Sequence, residues 1–280
     1  MALKDLLVQV DGSRSGPARY HAAIRLAQQH GAHLAGLCLA VEPQIPPTLM
    51  GMVPPDMIES QSRAIKEQAE LAASSFRLAV EKAGVSAECR VVQSLAIKAV
   101  DVLIEHARHV DLTILGQPDP SDGSPLGETF IAEVVMACGR PVIAVPYVGV
   151  PASLGQRVLV AWEGGREATR AVNDALPILE KAHLAIVLSV NPLMSSDGRR
   201  RDPGADISLH LARHGVKVEA ARTIAREISV GDAILAEIAS NSIDLLVMGA
   251  YGHSRLREFV LGGVTRELLQ HMTAPVLMSH

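Results

Sequence analysis

The sequence predicts an α/β protein built from two tandem, open-twisted, five-stranded parallel-sheet domains with helices on both faces. Three observations carry that prediction. The chain repeats itself: LLVQVDGSRSGPARYHAAIRLA, from Leu6, is restated as VLVAWEGGREATRAVNDALPIL, from Val158. Further on, DLTILG at Asp111 matches DLLVMG at Asp244, and RPVIAVP at Arg140 matches APVLMSH at Ala274. A repeat of this length means two copies of one domain rather than many small units. Second, short apolar runs alternate with helical patterns, which implies right-handed βαβ crossovers and a parallel sheet. Third, 280 residues suit two domains, and 48% hydrophobic residues suffice for two cores. Aromatics are only 2%. The cores must therefore come from Val, Leu, Ile, Ala and Met, which suits buried parallel strands under Ala-rich helices.

The elements follow in order. In the first half the apolar run from Leu6 predicts a strand over 5–11, ending in a Gly-containing turn. An Ala-rich helix over 15–31 and an apolar strand over 33–41 come next. A helix over 58–84, a strand over 86–93 and a helix over 96–109 continue the alternation. DLTILG supplies a strand over 111–116, a helix covers 128–138, and RPVIAVP holds a strand over 141–146. A Gly- and Pro-containing linker, YVGVPASLGQ from Tyr147 to Gln156, separates domains 1–147 and 157–280. The second half repeats the pattern with strands over 157–162, 183–190, 216–224, 243–249 and 275–279. Its helices fall over 166–182, 204–215, 229–241 and 263–273.

Composition excludes several classes. Net charge is -4, and the one basic run, Arg199, Arg200 and Arg201, reads as a solvated loop. Without a basic face or an aromatic stacking platform, no nucleic-acid partner is expected. Cys38, Cys89 and Cys138 form no CxxC pair and suit a reducing compartment. The apolar run at the N-terminus breaks at Asp11, and no stretch reaches about 18 apolar residues. A cytoplasmic protein without a membrane partner is expected.

In an open α/β sheet, ligands sit beyond the carboxyl ends of the strands, where strand order reverses. No GxGxxG follows the first strand of either half, which argues against a dehydrogenase. No GxxxxGK[ST] appears either, nor the clustered aspartates of a response regulator. The signal follows the fourth strand of the second half: Gly249-Ala250-Tyr251-Gly252, nine residues, then Gly262-Gly263-Val264-Thr265. The first pair of glycines sits where a strand ends and the second where a helix begins. Glycine lets backbone N–H groups approach phosphate oxygens, and a helix N-terminus adds donors and a positive dipole end.

The segment GAYGHSRLREFVLGGVTRELLQHMTAPVLMSH resembles the C-terminal signature of the universal stress protein family, G-x2-G-x9-G-[S/T]. The resemblance runs over nearly the whole chain twice, as in a tandem member with a Rossmann-like, adenine nucleotide alpha-hydrolase-like fold. It implies ATP as the ligand, with or without Mg²⁺. Gly249 and Gly252 would line ribose and phosphates, and Gly262, Gly263 and Val264 would offer backbone N–H groups. Val190 matches the position whose backbone reads adenine, and Glu163 stands where the family has Asp. Gly263 replaces the final Ser/Thr of the motif, which removes one hydroxyl contact. The resemblance also implies that the halves pair as an intramolecular pseudo-dimer through their last strands, with a homodimer of chains as a further arrangement.

The equivalent first-half segment starts at Gly116 and departs from the pattern. Asp119 holds the second Gly position, and Gly127 follows after seven residues rather than nine. Pro118, Pro120 and Pro125 each delete an N–H donor. Asp119, Asp122 and Glu128 would repel a polyphosphate, by about 1–4 kcal/mol per like-charge pair at about 4 Å. Asp11 matches the family's Asp. The first half is expected to keep the fold and not the triphosphate.

A regulatory ATP-binding module is the reading these residues favour, with no catalytic residue and no metal site assigned. A slow ATPase or phosphotransferase would need a cation clamp and a positioned base. The loop offers only His253, Arg255 and Arg257 as cations. A third reading is a non-nucleotide interaction protein using the Pro- and Met-rich flap 43–57. His210 and His214, four apart on a helix, read as a solvated face. Trp162 reads as an adenine contact or as a cleft wall.

Overall fold

The computed structural model describes residues 2–44, 48, 52–122, 125–191, 203–251 and 263–280. The chain divides into two compact units, one of Leu3–Arg140 and one built on Pro141–His280.

The first unit contains β1 (Asp5–Val10), α1 (Gly16–His30), β2 (His33–Glu42), α2 (Pro55–Ala83), β3 (Ala87–Leu95), α3 (Ala96–Ala107), β4 (Leu112–Gly116) and α4 (Phe130–Cys138). Its strands run in the order β3-β2-β1-β4, with β1 parallel to β2 and β4, and β2 parallel to β3. Helix α1 carries Pro17 in its first turn, where the missing N–H costs nothing. It ends at Gly31, φ 60°, whose N–H donates to the Ala27 carbonyl. The long helix α2 packs Phe76 directly over β2: a Cβ on Gly36 would come within 2.6 Å of that ring. Only glycine lets an aromatic lie so close to a strand.

The second unit contains β5 (Val142–Val145), β6 (Arg157–Ala161), α5 (Arg166–Leu179), β7 (Leu184–Val190), α6 (Pro203–Arg213), β8 (Val218–Thr223), α7 (Val230–Ser240), β9 (Leu245–Gly249), α8 (Gly263–His271) and β10 (Val276–Ser279). Its order is β5-β10-β9-β6-β7-β8. All described pairings are parallel except β5 with β10, which is antiparallel through Ala144–Val276, Ile143–Leu277 and Val142–Met278. Strand β5, the last apolar run of the first sequence repeat, thus clusters with the second unit. All four of its residues are buried.

The repeated DLTILG and DLLVMG segments carry a shared device. In the first unit the Asp111 carboxylate accepts from the backbone N–H groups of Lys4 (2.7 Å) and Asp5 (3.1 Å). In the second, Asp244 accepts from Gln156 and Arg157, both at 3.0 Å. Each aspartate satisfies the donors at the start of its first strand, whose partners would otherwise be water. That fixes the first strand beside the fourth, and with it the crevice at their far ends.

Of the flap 43–57, residues 45–47 and 49–51 lie outside the described residues. Of it, Pro55, Asp56 and Met57 open helix α2, and Met52 is 77% exposed.

Candidate functional site at the carboxyl ends of the strands

Strand order in the second unit reverses between β6 and β9, which is where an open α/β sheet forms its crevice. Register pairs Ala161 with Met248 on one side and with Leu188 on the other. The carboxyl ends of β9, β6 and β7 are therefore neighbours. Gly249 closes β9, Val190 closes β7, and Glu163 follows β6 by two residues. Glu163 is exposed and Val190 half-buried. Gly164 takes the left-handed φ of 80° and lets the chain turn into Gly165, the N-cap of α5. Trp162 is half-buried, and its backbone N–H donates to Leu188.

Gly263 and Val264 open helix α8. Because β9 and β10 are parallel and α8 connects them, the helix starts at the same carboxyl end of the sheet. Gly252 and Gly262 lie outside the described residues, as do His253, Arg255 and Arg257.

Gly249 has a role of its own in packing. A Cβ there would sit 2.4 Å from the Ala168 nitrogen and 2.5 Å from the Glu167 carbonyl carbon. The first turn of α5 rests on this glycine. Glu167 in that turn is 7% exposed and pairs with Arg166 at 2.8 Å. Its own backbone N–H, with help from Arg166 and against the effect of burial, holds its carboxyl below the usual range. Beside these residues, Tyr251 has φ 63°, and its hydroxyl is buried without a partner among the described residues. Burial raises that phenol's pKa. The hydroxyls of Ser189, next to the end of β7, and Ser279, at the end of β10, are likewise buried and unpartnered among the described residues.

The first unit reverses strand order between β1 and β4, and its crevice is furnished differently. Asp11 follows β1 and Gly116 ends β4. Arg19, only 2% exposed, donates through Nη2 to Asp11 Oδ1 at 2.7 Å. The Ser13 hydroxyl and backbone N–H donate to the same oxygen. Gln9 donates through Nε2 to Asp11 Oδ2 at 2.9 Å and accepts the Gly116 N–H through Oε1 at 3.1 Å. Burial would push the Asp11 carboxyl up, but Arg19 and the Ser13 donors outweigh it and leave the pKa lowered. The guanidinium sits so close to Gly116 that a Cβ there would overlap it. Above this floor opens a cavity of about 870 Å³.

Sequence reasoning found the strand ends and missed Arg19 and Gln9. The signal was available in the repeat. Aligning Leu6 with Val158 sets Arg19 opposite Ala171 and Gln9 opposite Ala161. Two small residues in one copy face two long polar ones in the other; Gln9, Arg19 and Ala171 are buried and Ala161 is half-buried. The second unit therefore has no side-chain counterpart of the Gln9–Asp11–Arg19 network at these two positions.

On the first-unit side, Asp119 is capped by Ser121 through its N–H at 2.8 Å and its hydroxyl at 2.7 Å. The imidazoles of His210 and His214 lie 4.7 Å apart. Among the described residues no group of three or more His, Cys, Asp or Glu gathers as a metal site. None of the described helices is long and apolar enough to cross a membrane.

The family model described as "Universal stress protein family" matches this chain twice, over residues 2–146 and 155–280. Universal stress protein Slr1230 of Synechocystis sp. is 24% identical over 227 residues, which is 79% of this chain and 75% of that protein. Among solved structures, a universal stress protein from Archaeoglobus fulgidus superposes with a TM-score of 0.73 at 18% identity, covering 98% of this chain and 97% of that one. The functionally unknown Pseudomonas aeruginosa protein PA1789 gives a TM-score of 0.61 at 16% identity, over 99% of this chain and 92% of that one. At these identities the two structures share the fold.

Proposed function

Since this chain belongs to the universal stress protein family, we propose that it is an adenine-nucleotide-binding regulatory protein of the stress response that holds one ATP in its second half. The observation that carries the reading is the asymmetry between the two crevices. At the first, Gln9 already takes the Gly116 N–H and Arg19 already neutralises Asp11. At the second, Ala161 and Ala171 stand in their places, and the Gly249–Gly263 sequence motif follows the strand. The ribose and adenine would lie along Glu163, Val190 and Gly249. The phosphates would meet the backbone of Gly252, Gly262, Gly263 and Val264, where the start of α8 adds dipole-aligned donors. Mg²⁺ would enter with the triphosphate rather than on a protein cage.

The ligand would bias shape or partners rather than be turned over. Phosphoryl transfer asks for cations around the transferred group. Arg166, the cation of the α5 first turn, is engaged by Glu167. All three cysteines are thiols, which suits the reducing cytoplasm. Calorimetric titration of the full chain with ATP tests the reading. One site per chain supports it; two equivalent sites, or none, would overturn it.

A further inference from the structure

The cavity of the first unit is not used by the nucleotide reading. At about 870 Å³ it lies in the size range of small-molecule sites, roughly 300–1,000 Å³. Its floor is polar: Gln9, Asp11, Ser13 and Arg19. One wall is apolar, with Leu39 and Val41 from the end of β2 and Ile65, Ala69 and Ala72 from one face of α2. Leu71 lines the same wall and is 70% exposed, so a large apolar side chain stands uncovered at the rim. Leu126 and Phe130 lie among the remaining lining residues.

The polar atoms decide what fits. A phosphate would need donors and positive charge. Gly116 has already given its N–H to Gln9, and the Arg19 guanidinium is bonded to Asp11. Pro118 and Pro125 line the cavity without N–H groups, and Asp119 and Asp122 set two negative charges against the single positive charge that Arg14 brings to the same lining. An acceptor, by contrast, is available. Asp11 is 33% exposed, and its Oδ2 accepts only the Gln9 bond among the described residues. A carboxylate oxygen can accept two. The ion pair with Arg19 keeps that acceptor ionised.

The geometry points to a second ligand site: the first-unit cavity takes an uncharged, apolar-bodied small molecule that carries a hydrogen-bond donor and no phosphate. The donor meets Asp11 Oδ2, and the apolar body lies against Leu39, Val41, Ile65 and Leu71. The two repeats then differ in ligand chemistry, one built for a polyanion and one against it.

N-phenyl-1-naphthylamine is a suitable probe, being apolar, uncharged, an N–H donor, and brighter in apolar surroundings. Titrated into the full chain, it is expected to saturate at one per chain without displacement by ATP. Ser75→Trp and Ala72→Phe narrow the cavity from the α2 wall and should each weaken binding by about tenfold or more. Ser75 is exposed, so its variant keeps the fold, with unfolding temperature as the control. 1-Phenylnaphthalene, which lacks the N–H, should bind more weakly than the amine. The proposal is overturned if the probe does not bind or if Ser75→Trp binds it as well as wild type does. Displacement by ATP in a protein carrying Gly252→Asp would also overturn it. Equal affinity for the two aromatic probes would remove Asp11 from the site.

Discussion

The Arg19 guanidinium donates to the Asp11 carboxylate at 2.7 Å from a side chain only 2% exposed. In this way α1 supplies to the end of β1 a cation that a ligand would otherwise have to bring. Breaking a buried pair by removing one partner strands the other, which costs more than an exposed pair is worth. Asp11 is a third exposed, so solvent recovers part of that cost. Arg19→Ala is expected to destabilise the protein by about 2 kcal/mol in denaturant unfolding at neutral pH. The folded carboxyl is depressed below 3.8. Its contribution is therefore present above the unfolded value and is lost as pH falls through the folded one. The gap between wild type and Arg19→Ala should accordingly shrink below about pH 4. A gap independent of pH would mean that Arg19 acts through packing alone.

Gly249→Ala should destabilise the fold whether or not ATP is present. The added Cβ would meet the Ala168 nitrogen at 2.4 Å and the Glu167 carbonyl carbon at 2.5 Å. Backbone cannot move aside as a side chain can, so a loss of roughly 1–3 kcal/mol is expected. Thermal unfolding of ligand-free protein measures it. A variant as stable as wild type would show that α5 can lift from β9.

Gly252→Asp should lower ATP affinity by at least about a hundredfold, since a carboxylate beside phosphate costs a few kcal/mol and each 1.4 kcal/mol is tenfold. The control is Asp119→Gly in the first half, which should create no site. Gln9 and Arg19 still occupy that crevice in the control, and Pro118 still lacks its N–H. Affinity is read by calorimetry beside thermal unfolding. Undiminished binding by folded Gly252→Asp would remove the phosphates from this loop.

Asp244→Ala should cost more stability than Asp111→Ala, although each removes an acceptor from a pair of backbone N–H groups. Asp244 is 3% exposed, whereas Asp111 is half-buried and its bonds lie near solvent. Water can replace the lost acceptor in the first unit more readily than in the second. Losses of about 3 and about 1 kcal/mol are expected, measured by denaturant midpoints. The reverse order would contradict the assigned roles.

The alternation of strand and helix was legible because it rests on periodicity, and periodicity is local. The predicted strand over 243–249 and the observed β9, Leu245–Gly249, agree for that reason. The glycine motif was legible because glycines mark close backbone approach; in the structure what approaches Gly249 is the first turn of α5. Arg19 was legible only by comparing the two repeats, where it faces Ala171, and not from its own helix. An arginine in an Ala-rich helix ordinarily snorkels to water, and only the tertiary position of Asp11, eight residues earlier, turns it inward. That β5 clusters with Pro141–His280 was foreshadowed by the family resemblance, through pairing of the last strands, and not by the residues of β5 themselves. An apolar run of four residues does not name its partner.

The pairing of β5 with β10 has an evolutionary side. A duplicated sequence normally frees one copy to drift while the other keeps the work. Here Val142–Val145, inherited by the first copy, hydrogen-bonds to Val276–Met278, inherited by the second. A change that spoiled either short strand would expose the edge of the other, and an exposed apolar edge invites aggregation. The copies can therefore diverge at their crevices, where Arg19 has parted from Ala171, but not at this seam. Specialisation belongs to the crevices and interdependence to this one pair of strands.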